Sequence, residues 1–208
     1  MGIGFPLGLQ AILFPIANSI VQSSVNTMGT DTIAAWAICG KLDLLIWLAA
    51  DAMSPALSTY TAQNLGAGCK ERVSQGVFLG AAASACTVGL ISLILYLVPG
   101  PLGALFVDAD DAVIIVPYVI RFMRMMAPFY IFYALAEAFS GACCGLGDTI
   151  RPMVITLLCT CGLRVAAVFF ILPMFRSMEC IVWIYIASWI VTGVSFTVMF
   201  LYKKRTML

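Results

Sequence analysis

VSQGVFLGAAASACTVGLISLILYLV, residues Val73–Val98, decides the fold class. No charged side chain interrupts it, and it exceeds the roughly 20 apolar residues that an α-helix needs to cross a hydrocarbon layer. A membrane β-strand would alternate polar and apolar residues over about 10 positions, and this run does not alternate. Five comparable segments surround it: Phe5–Met28, Thr32–Asn64, Ala112–Cys144, Pro152–Leu172 and Ile181–Tyr202. The breaks between them carry turn chemistry at Met28-Gly29-Thr30-Asp31, Gly66-Ala67-Gly68, Pro99-Gly100-Pro101, Gly145-Leu146-Gly147-Asp148 and from Pro173 onward. The expectation is an all-α polytopic membrane protein with six transmembrane helices in one unit over residues 1–208.

Composition agrees. Of the 208 residues 62% are hydrophobic and 10% charged, with a formal net charge of +1, whereas a soluble domain carries about 25% charged residues. There is too little polar surface for a soluble globular enzyme, and too little positive charge for a nucleic-acid partner to be expected. The eight Cys show no CxxC spacing and read as small apolar packing residues. The absence of His removes His-based triads, HExxH zinc sites and His-ligated haem. Neither an enzyme, a resident cofactor nor a metal site is expected. The N-terminus lacks a basic region and a small-x-small site, so no cleavable leader is expected.

Basic residues set the expected orientation. With both termini cytoplasmic, the inner connections carry Lys70, Arg72, Arg151, Lys203, Lys204 and Arg205, and the outer ones only Arg176. This points to the plasma (inner) membrane of a cell, crossed several times.

The polar residues inside the spans are the informative ones. Gln10, Asn18, Gln22 and Asn26 lie in the first segment, the last three at four-residue spacing and therefore on one helix face. Such a stripe meets another helix or lines a hydrated cavity. In the second segment Asp43, Trp47 and Asp51 share a face, while Lys41, two positions from Asp43, points elsewhere. An ionised group at mid-membrane costs about 2.5–3.5 kcal/mol on insertion scales. These acids therefore either pair with a cation or bind a proton or metal cation from a wet cavity. The fourth segment carries Arg121 and Arg124 on one face, flanked by Pro117 and Pro128, then Met123, Met125 and Met126, an aromatic run from Phe129 to Tyr133, and Glu137. The fifth adds Arg164. The second and fourth segments would be about 50 Å long as straight helices, beyond the roughly 30 Å hydrocarbon layer, so both should tilt, protrude or bend.

Two connections stand out. In Gln63-Asn64-Leu65-Gly66-Ala67-Gly68-Cys69-Lys70-Glu71-Arg72, Asn64 and Gly66 are placed to end a helix. In Gly145-Leu146-Gly147-Asp148-Thr149, Asp148 or Thr149 is placed to cap the next helix, with Pro152 in its first turns. Gly145–Asp148 also matches the GxGD pattern of intramembrane aspartyl proteases. The partner Tyr-Asp is missing and the Pro55-Ala56-Leu57 triplet comes in the wrong order, so a protease is rejected.

The ordered set Gly4-Phe5-Pro6-x-x-Leu9-Gln10, Asn26-Thr27-Met28-Gly29-Thr30, Ile33-Ala34-Ala35, Lys41-Leu42-Asp43, Gln63-Asn64-x-Gly66-Ala67-Gly68-x-x-x-Arg72-Val73 and Gly145-x-Gly147-Asp148-Thr149 resembles the multidrug and toxic compound extrusion (MATE) transporters. Those proteins have twelve helices in two six-helix lobes, and this chain resembles the C-terminal lobe. The resemblance implies antiport, with organic cations leaving as transported Na+ or H+ enters and the lobes rock around a central cavity.

It departs from the family in having no acid in the first helix, and Cys144 where Arg often precedes the Gly-x-Gly-Asp turn. The resulting candidates are Asp43, Asp51 and Glu137 for the coupling cation or proton. Gln10, Asn18, Gln22, Asn26, Lys41, Arg121 and Arg124 are candidates for the cavity lining. Gln63, Asn64, Gly66, Ala67, Gly68, Arg72, Gly145, Gly147, Asp148 and Thr149 are candidate conformational turn elements. Expected partners are the lipid bilayer, organic cation substrates, and an N-terminal six-helix lobe or a second copy. An inactive fragment, and a flippase-like carrier of lipid-linked or polyanionic substrates, are the alternatives.

Overall fold

The computed structural model describes the backbone of residues 4–207 and the side chains of residues 8–206, so the Phe5 and Pro6 side chains of the family-like run lie outside it. All regular structure among the described residues is helical: α1 (Gly4–Val25), α2 (Thr30–Asp51), α3 (Met53–Gly66), α4 (Lys70–Leu97), α5 (Pro99–Ala104), α6 (Ala109–Met126), α7 (Tyr130–Gly145), α8 (Ile150–Ile155), α9 (Leu163–Phe170), α10 (Leu172–Phe175) and α11 (Met178–Met207). A 3-10 turn, Ala127–Phe129, joins α6 to α7, and a π-helical stretch, Thr156–Gly162, joins α8 to α9.

These pieces form rods. Among the described residues five are long and apolar enough to cross a membrane: Thr30–Gly66, Lys70–Leu97, Ala109–Gly145, Ile150–Phe175 and Met178–Thr206. The remaining expected span corresponds to α1, 22 residues long, whose side chains are described only from residue 8.

Each rod begins before the apolar run that announces it. Asp31, Glu71, the pair Asp110 and Asp111, and Glu179 occupy first turns. Acids are favoured there by the free N–H groups and the helix dipole, but they do not register as apolar. The Pro99-Gly100-Pro101 break is not a simple turn. It starts the short helix α5, with Pro99 at its head, where a missing N–H costs nothing.

The two long segments are each interrupted close to a proline. Pro55 cannot donate to the carbonyl one turn before it, and the rod breaks at Ala52 between α2 and α3. Pro128 sits in the 3-10 turn between α6 and α7, and there Ser92 of α4 donates its hydroxyl to the Ala127 carbonyl. Pro117, by contrast, stays inside a continuous α6.

Helix α7 lies at the centre, packed by α3, α4 and α11. Hydrophobicity does not drive helix association in lipid, so close backbone approach and polar contacts carry the packing. A Cβ at Gly141 would run into the Ser54 carbonyl, and one at Gly145 into the Ser58 carbonyl, with Thr61 Cβ at 2.7 Å. These two glycines press α7 onto α3. An apolar cluster around Ile46, Phe122, Met123 and Trp189 fills one end of the bundle, and a second around Val77, Phe139, Phe196 and Phe200 fills the other.

Candidate functional site

A cavity of about 630 Å³ opens between α1, α2, α7, the π stretch with α9, and α11. That volume suits a drug-sized solute. Its walls mix aromatic faces (Phe14, Trp36, Trp47, Tyr185, Trp189, Phe196) with a small set of polar groups.

Three carboxylates converge there. Asp43 and Asp51 come from α2, two turns apart on one face, and Glu137 comes from α7. Asp43 is 5% exposed and accepts a hydrogen bond from the Tyr130 hydroxyl. Asp51 is exposed and accepts from the Tyr133 hydroxyl at 2.6 Å. Tyr130 and Tyr133 are successive residues on one face of α7, and Glu137 follows one turn later. Glu137 lies near Ser54, beside the Pro55 break. Among the described residues none of the three acids forms an ion pair.

A cation shares the cavity with them. Arg164 of α9 is 4% exposed and borders the cavity. Its Nε donates to Ser188 Oγ at 2.9 Å and its Nη1 to Asn18 Oδ1 at 3.1 Å, and its guanidinium lies 4.0 Å over the Tyr185 ring. The π stretch that precedes it adds Thr156 and Thr160, the latter 3.0 Å from Thr192 of α11. Single π turns inside helices recur at functional sites.

The family model described as MatE matches residues 6–170. The chain belongs to the MatE family. The probable multidrug resistance protein YoeA of Bacillus subtilis (strain 168) is 23% identical over 88% of this chain and 39% of its own length. An outward-facing multidrug resistance MATE family transporter of the MOP superfamily superposes with a TM-score of 0.87 at 16% identity, covering 98% of this chain and 46% of that one. A MOP superfamily transporter from Pyrococcus furiosus, described as having a binding pocket of reverse polarity, superposes with a TM-score of 0.85 at 18% identity, over 97% and 44%. These likenesses show a shared fold. The chain spans less than half the length of the relatives it matches. MatE proteins are membrane transporters, not enzymes.

Within this MatE chain the structure sorts the sequence-derived lining residues. Gln10, Asn18 and Gln22 lie on the cavity wall with the three acids. Asn26 does not, because α1 stops at Val25 and the four-residue phase ends with it. Its amide oxygen instead accepts from Gln22 Nε2 at 3.0 Å. Lys41 is exposed, with its ammonium 5.0 Å from the Phe106 ring. Arg121, exposed, pairs with Glu179 at 3.1 Å where α11 begins. Arg124 is exposed as well. Arg121 and Arg124 face away because α6 turns its apolar side, with Phe122, Met123 and Met126, into the bundle, whereas Lys41 lies on α2, off the face that carries Asp43.

Both turn motifs close in the same way. Gly68 and Gly147, at φ +76° and +84°, take the left-handed conformation that follows a helix end. Gly68 N donates to Leu65 O at 3.0 Å and Cys69 N to Asn64 O at 2.9 Å; Gly147 N donates to Cys144 O at 2.9 Å and Asp148 N to Cys143 O at 3.3 Å. Each is a Schellman motif. Gly66 and Gly145 are therefore still helical, and the stop falls two residues later than Gly66 suggests.

Tyr60 donates its hydroxyl to Arg72 O at 3.1 Å, tying α3 to α4 across the first turn, while Gln63 is exposed. In the second turn Asp148, not Thr149, accepts from the Arg151 N–H, at 3.2 Å. Asp148 also meets the buried Lys203 ammonium of α11 at 3.0 Å and Arg151 Nε at 3.6 Å. Burial raises its carboxyl pKa, but Lys203 and Arg151 outweigh that and hold it below the ordinary carboxylate value.

Sequence reasoning missed the tyrosine donors and named Arg164 without placing it on the cavity wall. The tyrosine donors to the acids lie more than eighty residues away in the chain. Arg164 carried no periodic partner, and its lone position mid-span was the available signal.

Proposed function

We propose that this chain is the C-terminal lobe of a cation-coupled antiporter that exports organic cations. The observation that carries the reading is the convergence of Asp43, Asp51 and Glu137 on one aromatic-walled cavity, with no cation of the described residues paired to them. Acids kept at membrane depth at a cost of kilocalories each need a reason. Binding a cation reversibly is such a reason. Asp51 and Glu137, the more open pair, exchange Na+ or H+ with the ammonium of a substrate. Asp43, closed over by Tyr130, couples that exchange to the packing of α2 on α7. Net transport then requires that the coupling ion and the substrate prefer different conformations of the lobe pair.

A second six-helix lobe, an N-terminal neighbour or another copy, completes the cavity. The basic residues of the connections support a plasma-membrane orientation with both termini cytoplasmic.

The test uses vesicles containing this chain with and without a matching N-terminal lobe. Ethidium movement driven by a Na+ or H+ gradient is expected with the partner present. Its absence overturns the antiport reading. Asp43→Asn with Asp51→Asn should abolish coupling, and wild-type coupling in that double variant removes these acids from the mechanism.

A further inference from the structure

Arg164 is the part of the cavity that export of simple cations leaves unused. A guanidinium at this depth is as costly as a carboxylate, and here it sits inside a pocket said to take cations. Among the described residues no carboxylate lies within ion-pair reach of it. Its partners are neutral: Ser188 and Asn18 by hydrogen bond, and the Tyr185 ring by its face. The guanidinium has five N–H donors. These two hydrogen bonds fix its plane and take two donors, leaving the others without an acceptor among the described residues, on a side chain that borders the cavity. A planar, pre-oriented fork of this kind matches a carboxylate in both geometry and charge. The acids lie on other helices of the same cavity, on α2 and α7, while Arg164 is on α9.

We infer that Arg164 is an anion subsite, and that the cavity selects zwitterions whose carboxylate it holds while their ammonium meets Asp51 and Glu137. This deepens the proposed function by naming its solute class, and it rests on that reading only in requiring that solutes enter the cavity. A guest carboxylate supplies the counter-charge that the fold withholds from Arg164. Ser188 and Asn18 keep the fork aligned before the guest arrives, so little ordering is spent on binding. Trp36, Trp47 and Trp189 offer flat faces for the aromatic body of such a molecule.

The test compares rhodamine B, an open-form zwitterion, with its methyl ester, a plain cation of nearly the same shape. Dye binding to the purified chain in nanodiscs is followed by fluorescence anisotropy and by quenching of the cavity tryptophans. The parent protein is expected to bind the zwitterion about 10-fold more tightly than the ester. Arg164→Gln should erase that preference, and its unfolding midpoint in the nanodisc, measured separately, certifies that the variant is folded. Arg164→Lys, which keeps the charge but loses the fork, should retain part of the preference. Equal affinity of the parent for the two dyes, or a preference that survives in Arg164→Gln, overturns the anion subsite alone. Failure of both dyes to bind the parent overturns the cavity reading and the subsite with it.

Discussion

Asp43 and Asp51 stand two turns apart on one face of α2, and each accepts a hydrogen bond from a tyrosine of α7. The local chemistry is the same, but the surroundings are not. Around Asp43 the apolar cluster of Leu42, Ile46 and Trp189 closes over the pair, and both partners are buried. Around Asp51 the regular helix is interrupted at Ala52, three residues before Pro55, and the carboxylate is exposed at the cavity. A buried hydrogen-bonded acid holds two helices together, because removing either partner leaves the other unsatisfied. An open one is free to trade its tyrosine for an ion. Sequence spacing places both acids on one face, but only the packing of α7 separates a clamp from an exchange site.

The largest effect should come from altering the seam itself. Gly141→Val puts side-chain atoms into the Ser54 backbone beside the Glu137 end of the cavity. Overpacking of this kind costs about 3 kcal/mol, read as lost stability on unfolding in mixed micelles. The open end should suffer first, with Asp51 losing Tyr133 while the Asp43 pair persists. A Gly141→Val protein as stable as the parent would mean that α3 does not press on α7, and the comparison would lose its structural cause.

Truncating the acids tests the comparison directly. Asp43→Ala strands the Tyr130 hydroxyl in an apolar cluster and should cost about 2 kcal/mol. Asp51→Ala, open to water, should stay within about 0.5 kcal/mol. Equal losses in the same unfolding assay would erase the distinction between clamp and exchange site. Water access sharpens it further. In a cysteine-free background, Asp51→Cys should react with a water-soluble maleimide at least about 10-fold faster than Asp43→Cys, since thiolate reactivity follows exposure. Comparable rates would place both positions in the same environment.

Much of this arrangement was legible in the sequence. Period and length gave helices, and proline marked the two interruptions. The phase of Asn18 and Gln22 gave a polar face that borders the cavity. That phase failed at Asn26, because periodicity does not register where a helix ends. Lys41, Arg121 and Arg124 showed the limit of charge as a guide. On an interrupted rod, a charged residue often belongs to the rim, where it meets a ring or an acid such as Glu179. The tyrosine donors and the Arg164 cradle were not legible. Arg164 meets Asn18 from 146 positions away, and such pairings follow from how rods cross rather than from spacing along one rod. Arg164, Asn18 and Ser188 meet only after α1, α9 and α11 have packed.

A third carboxylate marks the far limit of the comparison. Asp148 lies in the turn after α7 and is held by cations rather than by a tyrosine, with the buried Lys203 ammonium at 3.0 Å. Burial opposes its charge, yet Lys203 and Arg151 prevail and depress its pKa in the folded protein. A depressed folded value means that the pair stabilises the fold above the ordinary carboxylate pKa of about 3.9, and that this contribution disappears as pH falls through the folded value. Because Asp148 sits at the end of the bundle and not in its core, the effect should be small, about 0.5–1 kcal/mol. Thermal midpoints measured from neutral pH down to about 3 should show an acid-side decline in the parent that is shallower in Asp148→Asn. Parallel curves would mean that the turn after α7 is held by its Schellman geometry alone and that the Lys203 contact adds nothing to it.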